Sequence, residues 1–297
     1  MKLTHNQFEV LTTIERIKEK VSQREIAKST NFSLGTINKI IAQLQDDGLI
    51  DKDNIITRRG LKTLEPYRVK RAIFLAAGFG SRLVPITLNT PKPLVMVKGK
   101  KIIETLLDAV VKAEIEEIII VTGYLNEQFE ILLKKYPNIK FIQNDKYNES
   151  NNISSAYLVK DMCANSYVLE SDLYLYNPNL IRKYEYQSNF LAKYVDVTND
   201  WCFETKNGII TKQKVGGYNC HQMYGISYFT KEDSLKMSKD IEYVYNLPGG
   251  KEKYWEQVML DVCKKNYKIA IRECQEGDII EIDTFNELKQ IDKIYDV

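Results

Sequence analysis

Glycines and cations at residues 75–94 form a pattern that could bind phosphate groups. An apolar run leads into a turn with Gly78 and Gly80, where the absent side chains leave backbone N–H groups free to face phosphate oxygens. Arg82 and Lys92 can add positive charge over the same phosphates. A lone Gly-x-Gly is typical of many tight turns, and this one is neither a P-loop nor G-x-G-x-x-G. The following arginine, and a lysine between two prolines, make phosphate binding the more specific interpretation.

Histidine is too scarce for histidine-based chemistry, since His5 and His221 are the only two. This excludes a polyhistidine zinc site and disfavours a catalytic histidine. A metal would have to be bound by carboxylates, which favours Mg²⁺. The five cysteines are odd in number and form no C-x-x-C motif, which is typical of reduced thiols in the cytoplasm.

The composition is that of a globular protein with room for a core. Of the 297 residues, 44% are hydrophobic and 28% are charged, which excludes general disorder. No apolar run approaches the 18 residues or so of a membrane span, and the first residues lack the apolar region of a signal peptide. We therefore expect a cytoplasmic protein with no membrane partner.

The elements that must position the glycine turn are continuous apolar runs separated by stretches with helical spacing of apolar residues. Continuous apolar runs at residues 72–77, 118–122, 140–142 and 167–169 are typical of strands buried on both faces, and helical stretches such as Ile102 to Ala113 lie between them. Strands that alternate with helices predict an α/β fold with a mixed, mostly parallel sheet. We expect this domain to cover residues 69–297.

Residues 1–68 follow a different pattern. Apolar residues recur with helical spacing, Ser22 and Glu25 form a capping-box signature, and a short apolar strand pair follows the third helix. This order resembles a winged helix-turn-helix, a small α+β domain that implies DNA as a partner. Residues 1–70 carry 13 Lys and Arg against 9 Asp and Glu, a modest excess of positive charge. Arg58, Arg59 and Lys62 are expected in the wing. A structural or dimerising role, with a homodimer as partner state, is an equal alternative.

The glycine turn and the segment Thr-Pro-Lys-Pro-Leu at residues 90–94 resemble the L-A-A-G-x-G-(S/T)-R-(L/M)…P-K-P/A-L signature of the nucleotidyltransferases that make nucleotide-diphosphate sugars and alcohols. The resemblance implies a Rossmann-like fold similar to sugar-nucleotide pyrophosphorylases. It implies catalytic roles for Arg82, Lys92 and Asp172. It also implies nucleotide binding by Leu75, Ala76, Ala77, Gly78, Gly80, Gly123, Tyr124, Asn152 and Ser154.

Four further segments, at residues 144–152, 198–201, 254–256 and 281–283, resemble CTP:phosphocholine cytidylyltransferases of bacterial choline-incorporation pathways. This resemblance covers about residues 70–295. It implies that CTP and phosphocholine are the substrates and that CDP-choline is the product. The implied metal ligands for Mg²⁺ are Asp172, Glu281 and Asp283. The implied choline-binding residues are Asp200, Trp201, Trp255 and Glu256.

The residue types agree with recognition of a quaternary ammonium group. Such a group has no N–H to donate, so proteins bind it with aromatic faces and a nearby carboxylate, at about 0.5–2 kcal/mol per ring. Trp201 and Trp255 are the only tryptophans, and each lies next to an acid, Asp200 or Glu256. The alternative is that both tryptophans are packing residues.

The implied reaction is attack by a phosphate oxygen of phosphocholine on the α-phosphorus of CTP, with loss of pyrophosphate. A phosphomonoester, with a second pKa near ~6, is already largely dianionic at neutral pH, so no general base is required. The alternatives are a cytidylyltransferase for 2-aminoethylphosphonate or phosphoethanolamine, and a sugar-1-phosphate nucleotidylyltransferase. A non-enzymatic alternative is a nucleotide-sensing, DNA-binding regulator, although the intact set of Arg82, Lys92, Asp172 and Asp283 disfavours it.

Overall fold

The computed structural model describes residues 2–296 and separates into two compact units. The first comprises Met1–Arg68 together with Tyr184–Tyr186, and the second comprises Val69–Lys183 and Gln187–Val297. The division predicted from sequence, 1–68 and 69–297, does not include the return of Tyr184–Tyr186 to the first unit. Inside that unit the Tyr186 ring stacks on Tyr67 at a centroid distance of 5.6 Å.

The first unit is built on three helices in the predicted winged-helix order. They are α1 (His5–Ile17), α2 (Gln23–Thr30) and α3 (Leu34–Asp46). Each begins at a hydroxyl residue that accepts a backbone N–H, and Ser22 and Glu25 form the expected capping box at the start of α2. The apolar faces close a core that includes Phe8, Leu11 and Ile37.

The wing differs from the prediction. It is limited to one antiparallel bridge between Ile50 and Ile56, and a fourth helix, α4 (Arg58–Leu64), begins directly after it. The Thr57 side chain accepts the backbone N–H of Gly60 and caps this helix. Arg58, Arg59 and Lys62 therefore lie on a helix and not in a wing.

The second unit is organised around a seven-stranded sheet. Its strands are β1 (Arg71–Ala76), β4 (Glu117–Thr122), β5 (Ile139–Gln143), β6 (Ser166–Glu170), β8 (Asn189–Lys206), β9 (Ile209–Phe229) and β10 (Ala270–Glu273). Their order across the sheet is β10-β8-β9-β6-β1-β4-β5. Strands β6, β1, β4 and β5 are parallel, whereas β9 runs antiparallel to both β6 and β8. The predicted mixed, mostly parallel sheet is confirmed.

Two apolar cores cover the two faces of this sheet. Alternate residues of β1 enter different cores: Phe74 faces one and Ile73 faces the other. The first core includes α5 (Ile102–Lys112), and the second includes α6 (Ile153–Val159) and α7 (Lys231–Tyr245). Both faces of the central strands are thus covered, which explains their uninterrupted apolar sequences. Across residues 2–296, no helix has the length and hydrophobicity of a bilayer span.

Short ribbons and the last helix complete the second unit. They are β2 (Met96–Val97) with β3 (Lys100–Lys101), β7 (Leu173–Leu175) with β11 (Ile279–Glu281), and α8 (Phe285–Ile291). The β7–β11 pairing sets Glu281 opposite Leu173, so two distant parts of the chain meet beside the carboxyl end of β6.

Candidate active site

A cavity of about 520 Å³ lies at the carboxyl ends of β1 and β6. The carboxyl edge of parallel strands is the usual place for ligands in open α/β sheets. Fifteen of the residues predicted from sequence line this cavity. They are Leu75, Ala76, Ala77, Gly78, Gly80, Arg82, Lys92, Asn152, Ser154, Asp172, Asp200, Trp201, Glu256, Glu281 and Asp283.

The glycine turn after β1 packs closely on Lys92. Gly80 has φ +69°, and a Cβ there would lie 2.9 Å from Cβ of Lys92. A side chain at this position would therefore push the lysine stem away in addition to straining the backbone. A Cβ at Gly78 would meet no atom within 4 Å, so packing does not require glycine there. Gly78 leaves its side of the turn open toward the cavity.

Lys92 is the central cation of the site. Its Nζ donates to Asp172 Oδ2 and to Asp283 Oδ1, both at 2.8 Å, and its side chain is 9% exposed. Burial alone would lower the pKa of Lys92, but the attraction of the two aspartates outweighs burial, so the pKa lies above its usual value. Arg82 donates to the same Asp283 oxygen at 2.7 Å, yet its side chain is 65% exposed.

Three carboxylates form the only cluster of potential metal ligands in the described part of the chain. Oxygens of Asp172, Glu281 and Asp283 lie within 4.8 Å of one another. Burial, and then repulsion from Asp172 and Asp283, raises the pKa of Glu281 well above its ordinary value. Oδ1 of Asp172 is buried and accepts no hydrogen bond. Hard oxygen ligands, close together and with one oxygen unpartnered, fit a divalent cation such as Mg²⁺.

A second part of the cavity lining, the aromatic end, combines aromatic rings with buried acids. The rings of Trp201 and Tyr254 meet edge to face at 5.8 Å, with Asp200 beside them in the lining. Glu256 is 2% exposed and its Oε2 has no hydrogen-bond partner. Burial raises the pKa of Glu256 to about 7. Burial, and then repulsion from Glu256, raises the pKa of Glu170 well above its ordinary value.

The position of Trp255 contradicts its predicted role in choline binding. Its side chain is 3% exposed and packs in the second core, 6.1 Å from Phe190 and 5.8 Å from Phe229 between ring centroids. Its backbone N–H donates to Asn152 at 2.8 Å, so only the main chain reaches toward the cavity. The neighbouring Tyr254 is the second aromatic wall. Of the Tyr-Trp-Glu segment, Tyr254 and Glu256 line the cavity and Trp255 does not.

Gly123 and Tyr124 lie next to the glycine turn but do not line the cavity. A Cβ at Gly123 would lie 2.8 Å from the carbonyl oxygen of Ala77, so glycine permits this close approach of β4 to the turn. The backbone N–H of Tyr124 donates to that carbonyl at 3.0 Å, and its ring packs on Phe79. Their contact with a nucleotide stays a prediction.

Several lining residues were not selected from sequence. They are Asn144, Tyr147, Ser150, Asn151, Ser155, Glu170, Met223, Gly225 and Tyr254, among others. Asn144 is buried and donates to the hydroxyls of Ser154 and Ser155, both at 3.0 Å, so it holds the start of α6 in place. The segments 144–152 and 254–256, which carry the sequence resemblance, already include Asn144, Tyr147, Ser150, Asn151 and Tyr254.

Gly225 of β9 was not among the predicted site residues, yet it lines the cavity. A Cβ at this position would lie 2.2 Å from Oε2 of Glu170, so glycine makes room for the buried acid. Only the register of β9 against β6 reveals this requirement.

Comparisons with known proteins agree with both units. Residues 71–211 match the Nucleotidyl transferase family and residues 2–59 match the MarR family. The chain is 33% identical over 228 residues to the 2-aminoethylphosphonate cytidylyltransferase of Lancefieldella rimae, covering 75% of this chain and 92% of that protein. It is 35% identical over 230 residues to the choline-phosphate cytidylyltransferase of Streptococcus pneumoniae, covering 75% and 97%.

The solved structure of CTP:phosphocholine cytidylyltransferase from Streptococcus pneumoniae has the same architecture. It superposes with a TM-score of 0.71 at 34% identity, over 76% of this chain and 99% of that chain.

Proposed function

Since this chain belongs to the nucleotidyl transferase family and is a cytidylyltransferase by its relatives, we propose that it transfers CMP from CTP to phosphocholine. The products would be CDP-choline and pyrophosphate. Identities of 33% and 35% to enzymes named for two different amine-bearing substrates support the reaction type. The choice between those substrates has to come from the site.

One observation carries the proposal: a single cavity is lined both by the glycine turn with Lys92 and by the rings of Trp201 and Tyr254. Lys92 and the glycine turn suit the triphosphate, whereas Trp201 and Tyr254 suit an ammonium group. Because Glu256 lies at the aromatic end with an unpartnered oxygen, a positive group there would gain a counter-ion. Phosphocholine carries a negative phosphate at one end and a positive ammonium at the other, so it can pair with both the cations and the acidic aromatic residues of this cavity.

The chemistry needs little proton transfer. A phosphate oxygen of phosphocholine forms a bond to the α-phosphorus of CTP, and the bond from that phosphorus to the leaving pyrophosphate breaks. With a second pKa near ~6, the phosphate is largely dianionic at neutral pH and attacks without a general base. No histidine is among the residues 2–296 that line the cavity, which is compatible with this route.

The protein's task is to align two anions and to offset their charge. Lys92 and Arg82 are suited to bind the triphosphate and to stabilise the negative charge that develops on pyrophosphate. Asp172, Glu281 and Asp283 would hold Mg²⁺, for which their clustered oxygens are suited. The bound ion would supply neutralisation of charge on the α-phosphate and the incoming phosphate.

A primary amine is the second candidate head group, as in 2-aminoethylphosphonate or phosphoethanolamine. The unpartnered Oε2 of Glu256 favours it, because an ammonium N–H can donate to a buried carboxylate whereas a trimethylammonium cannot. The two aromatic walls favour the methylated group. A sugar 1-phosphate has no positive charge for the acids to bind.

Pyrophosphate release from CTP tests the proposal with a panel of acceptors. We expect turnover with phosphocholine to exceed that with 2-aminoethylphosphonate and phosphoethanolamine, and glucose 1-phosphate to be inert. Faster turnover with a primary-amine acceptor than with phosphocholine would favour the second candidate head group. Turnover with glucose 1-phosphate alone would contradict both.

The MarR match supports a second function, DNA binding by the first unit. Phosphate contacts dominate such binding and need exposed cations, and Arg58 and Arg59 are exposed on α4. The full chain should then bind duplex DNA with an affinity that falls steeply with salt, and Arg58→Ala with Arg59→Ala should flatten that dependence. Lack of duplex binding at about 50 mM salt across genomic fragments would leave the structural or dimerising role, the predicted homodimer included.

A further inference from the structure

Lys92 donates hydrogen bonds to carboxylates that also belong to the proposed metal site. Two of the three carboxylates whose oxygens cluster within 4.8 Å, Asp172 and Asp283, each accept a hydrogen bond of 2.8 Å from its Nζ. A divalent cation bound by both aspartates would lie within a few ångströms of the ammonium. Two positive charges so close in a partly buried site repel each other strongly. The lysine and the metal are therefore competitors for the same negative charge.

Burial makes this competition hard to avoid. The Lys92 side chain is 9% exposed, and its stem lies against the glycine turn, where a Cβ on Gly80 would be 3.5 Å from Cδ of the lysine. The ammonium cannot turn away into bulk water without a partner, because an unpaired buried charge is costly. It can leave the aspartates when another anion replaces them as its hydrogen-bond partner. The neighbouring turn, proposed to hold the triphosphate, is where such an anion would bind.

We propose that Lys92 is an internal counter-ion that weakens divalent metal binding to the nucleotide-free enzyme. The phosphates of the nucleotide draw its ammonium away from Asp172 and Asp283, so that metal and nucleotide bind cooperatively. This inference rests on the proposed function for the identity of the anion. The antagonism between lysine and metal rests on the described contacts alone.

Arg82 provides a matched comparison. It also donates to Asp283 Oδ1, at 2.7 Å, but its side chain is 65% exposed and it has no described hydrogen bond to Asp172. Water screens its charge and offers it an alternative environment. Removal of its charge should affect the metal site much less than removal of the charge of Lys92.

Mn²⁺ binding without nucleotide, measured by electron paramagnetic resonance, tests the inference. Lys92→Met should bind Mn²⁺ at least about tenfold more tightly than wild type, whereas Arg82→Met should gain no more than about threefold. Lys92→Arg keeps the charge and should gain nothing. If Lys92→Met fails to fold, as judged by circular dichroism, Lys92→Gln replaces it. Equal or weaker Mn²⁺ binding by the neutral variant would overturn the inference.

Two further measurements locate the effect. Adding Asp172→Asn to Lys92→Met should abolish the gain, and a gain that persists would place it elsewhere and contradict the inference. Wild-type protein should bind Mn²⁺ alone only weakly, and a dissociation constant of about 1 μM without nucleotide would also overturn it. None of these experiments contains CTP or a head-group substrate. Their outcome is thus independent of the pyrophosphate-release assay.

Discussion

The two ends of the cavity are built in different ways. At the phosphate end the glycine turn and Lys92 come from one continuous segment, fourteen residues or fewer apart, and only the carboxylates Asp172, Glu281 and Asp283 come from distant segments. The aromatic end is assembled from separate elements, with Trp201 on β8 and Tyr254 in the loop after α7. Phosphates are common to all nucleotide substrates, whereas the head group differs among relatives. The proposed phosphate contacts therefore rest largely on a local motif, whereas the choice of head group rests on tertiary contacts.

Loss of a metal ligand should give the largest effect on the phosphate end. If Asp172 is a metal ligand as proposed, Asp172→Asn removes a hard anionic ligand worth several kcal/mol in charge neutralisation, so kcat at saturating Mg²⁺ should fall by about 10³-fold. The melting temperature should change little. Asp161→Asn, whose side chain is 74% exposed, is the control and should keep full activity. Substantial turnover by Asp172→Asn would remove it from the metal site.

Loss of the positive charge of Lys92 should give the second largest effect. Lys92→Ala should lower kcat by about 10²- to 10³-fold, because charge developing on the leaving pyrophosphate loses its partner. Head-group affinity should change much less, since Lys92 donates to Asp172 and Asp283 and not to Glu256. Binding of choline, measured by calorimetry, checks this separation. A variant with normal kcat and a lower melting temperature would make the lysine structural.

Substitutions at the aromatic end should change KM for the head-group substrate more than kcat. Trp201→Ala or Tyr254→Ala removes one wall worth about 0.5–2 kcal/mol, so KM for phosphocholine should rise by about 2- to 30-fold. KM for CTP and kcat should move much less. Steady-state kinetics with each substrate varied in turn gives the answer. Equal effects on both substrates would mean that these rings support the whole cavity.

Trp255→Ala is the matched variant for that experiment. Because this ring is packed against Phe190 and Phe229 in the core, its removal should cost about 3–5 kcal/mol in the free energy of unfolding. Denaturant titration measures that loss. A stable variant with raised KM for phosphocholine would restore the role predicted from sequence.

The smallest expected effect is a pH dependence at the aromatic end. Burial raises the pKa of Glu256 to about 7, so its carboxyl gains negative charge as pH rises through neutrality. Choline has no titrating group, and its affinity should rise by about 3- to 10-fold between pH 6 and 8. Calorimetry should show that Glu256→Gln flattens this profile. A flat profile in wild type would exclude Glu256 as the counter-ion.

The sequence was informative where structure is local. The continuous apolar run of β1, the capping box at Ser22 and the glycine turn depend on neighbours in the chain, and all three appear in the structure. The sequence does not reveal that Tyr254 lines the cavity while Trp255 packs in the core. Whether a ring faces the core or the cavity depends on how the segment packs on β8 and β9. The need for glycine at 225 likewise arises only when β9 pairs with β6.

The most direct test compares phosphocholine with 3,3-dimethylbutyl phosphate, which has the same shape but carbon in place of the charged nitrogen. If the aromatic end recognises positive charge, kcat/KM for pyrophosphate release should fall by at least about 5-fold for the neutral acceptor, from lost cation–π contacts with the two rings alone. KM for CTP should remain the same, because the phosphate end is unchanged. Equal kcat/KM for the two acceptors would contradict the account.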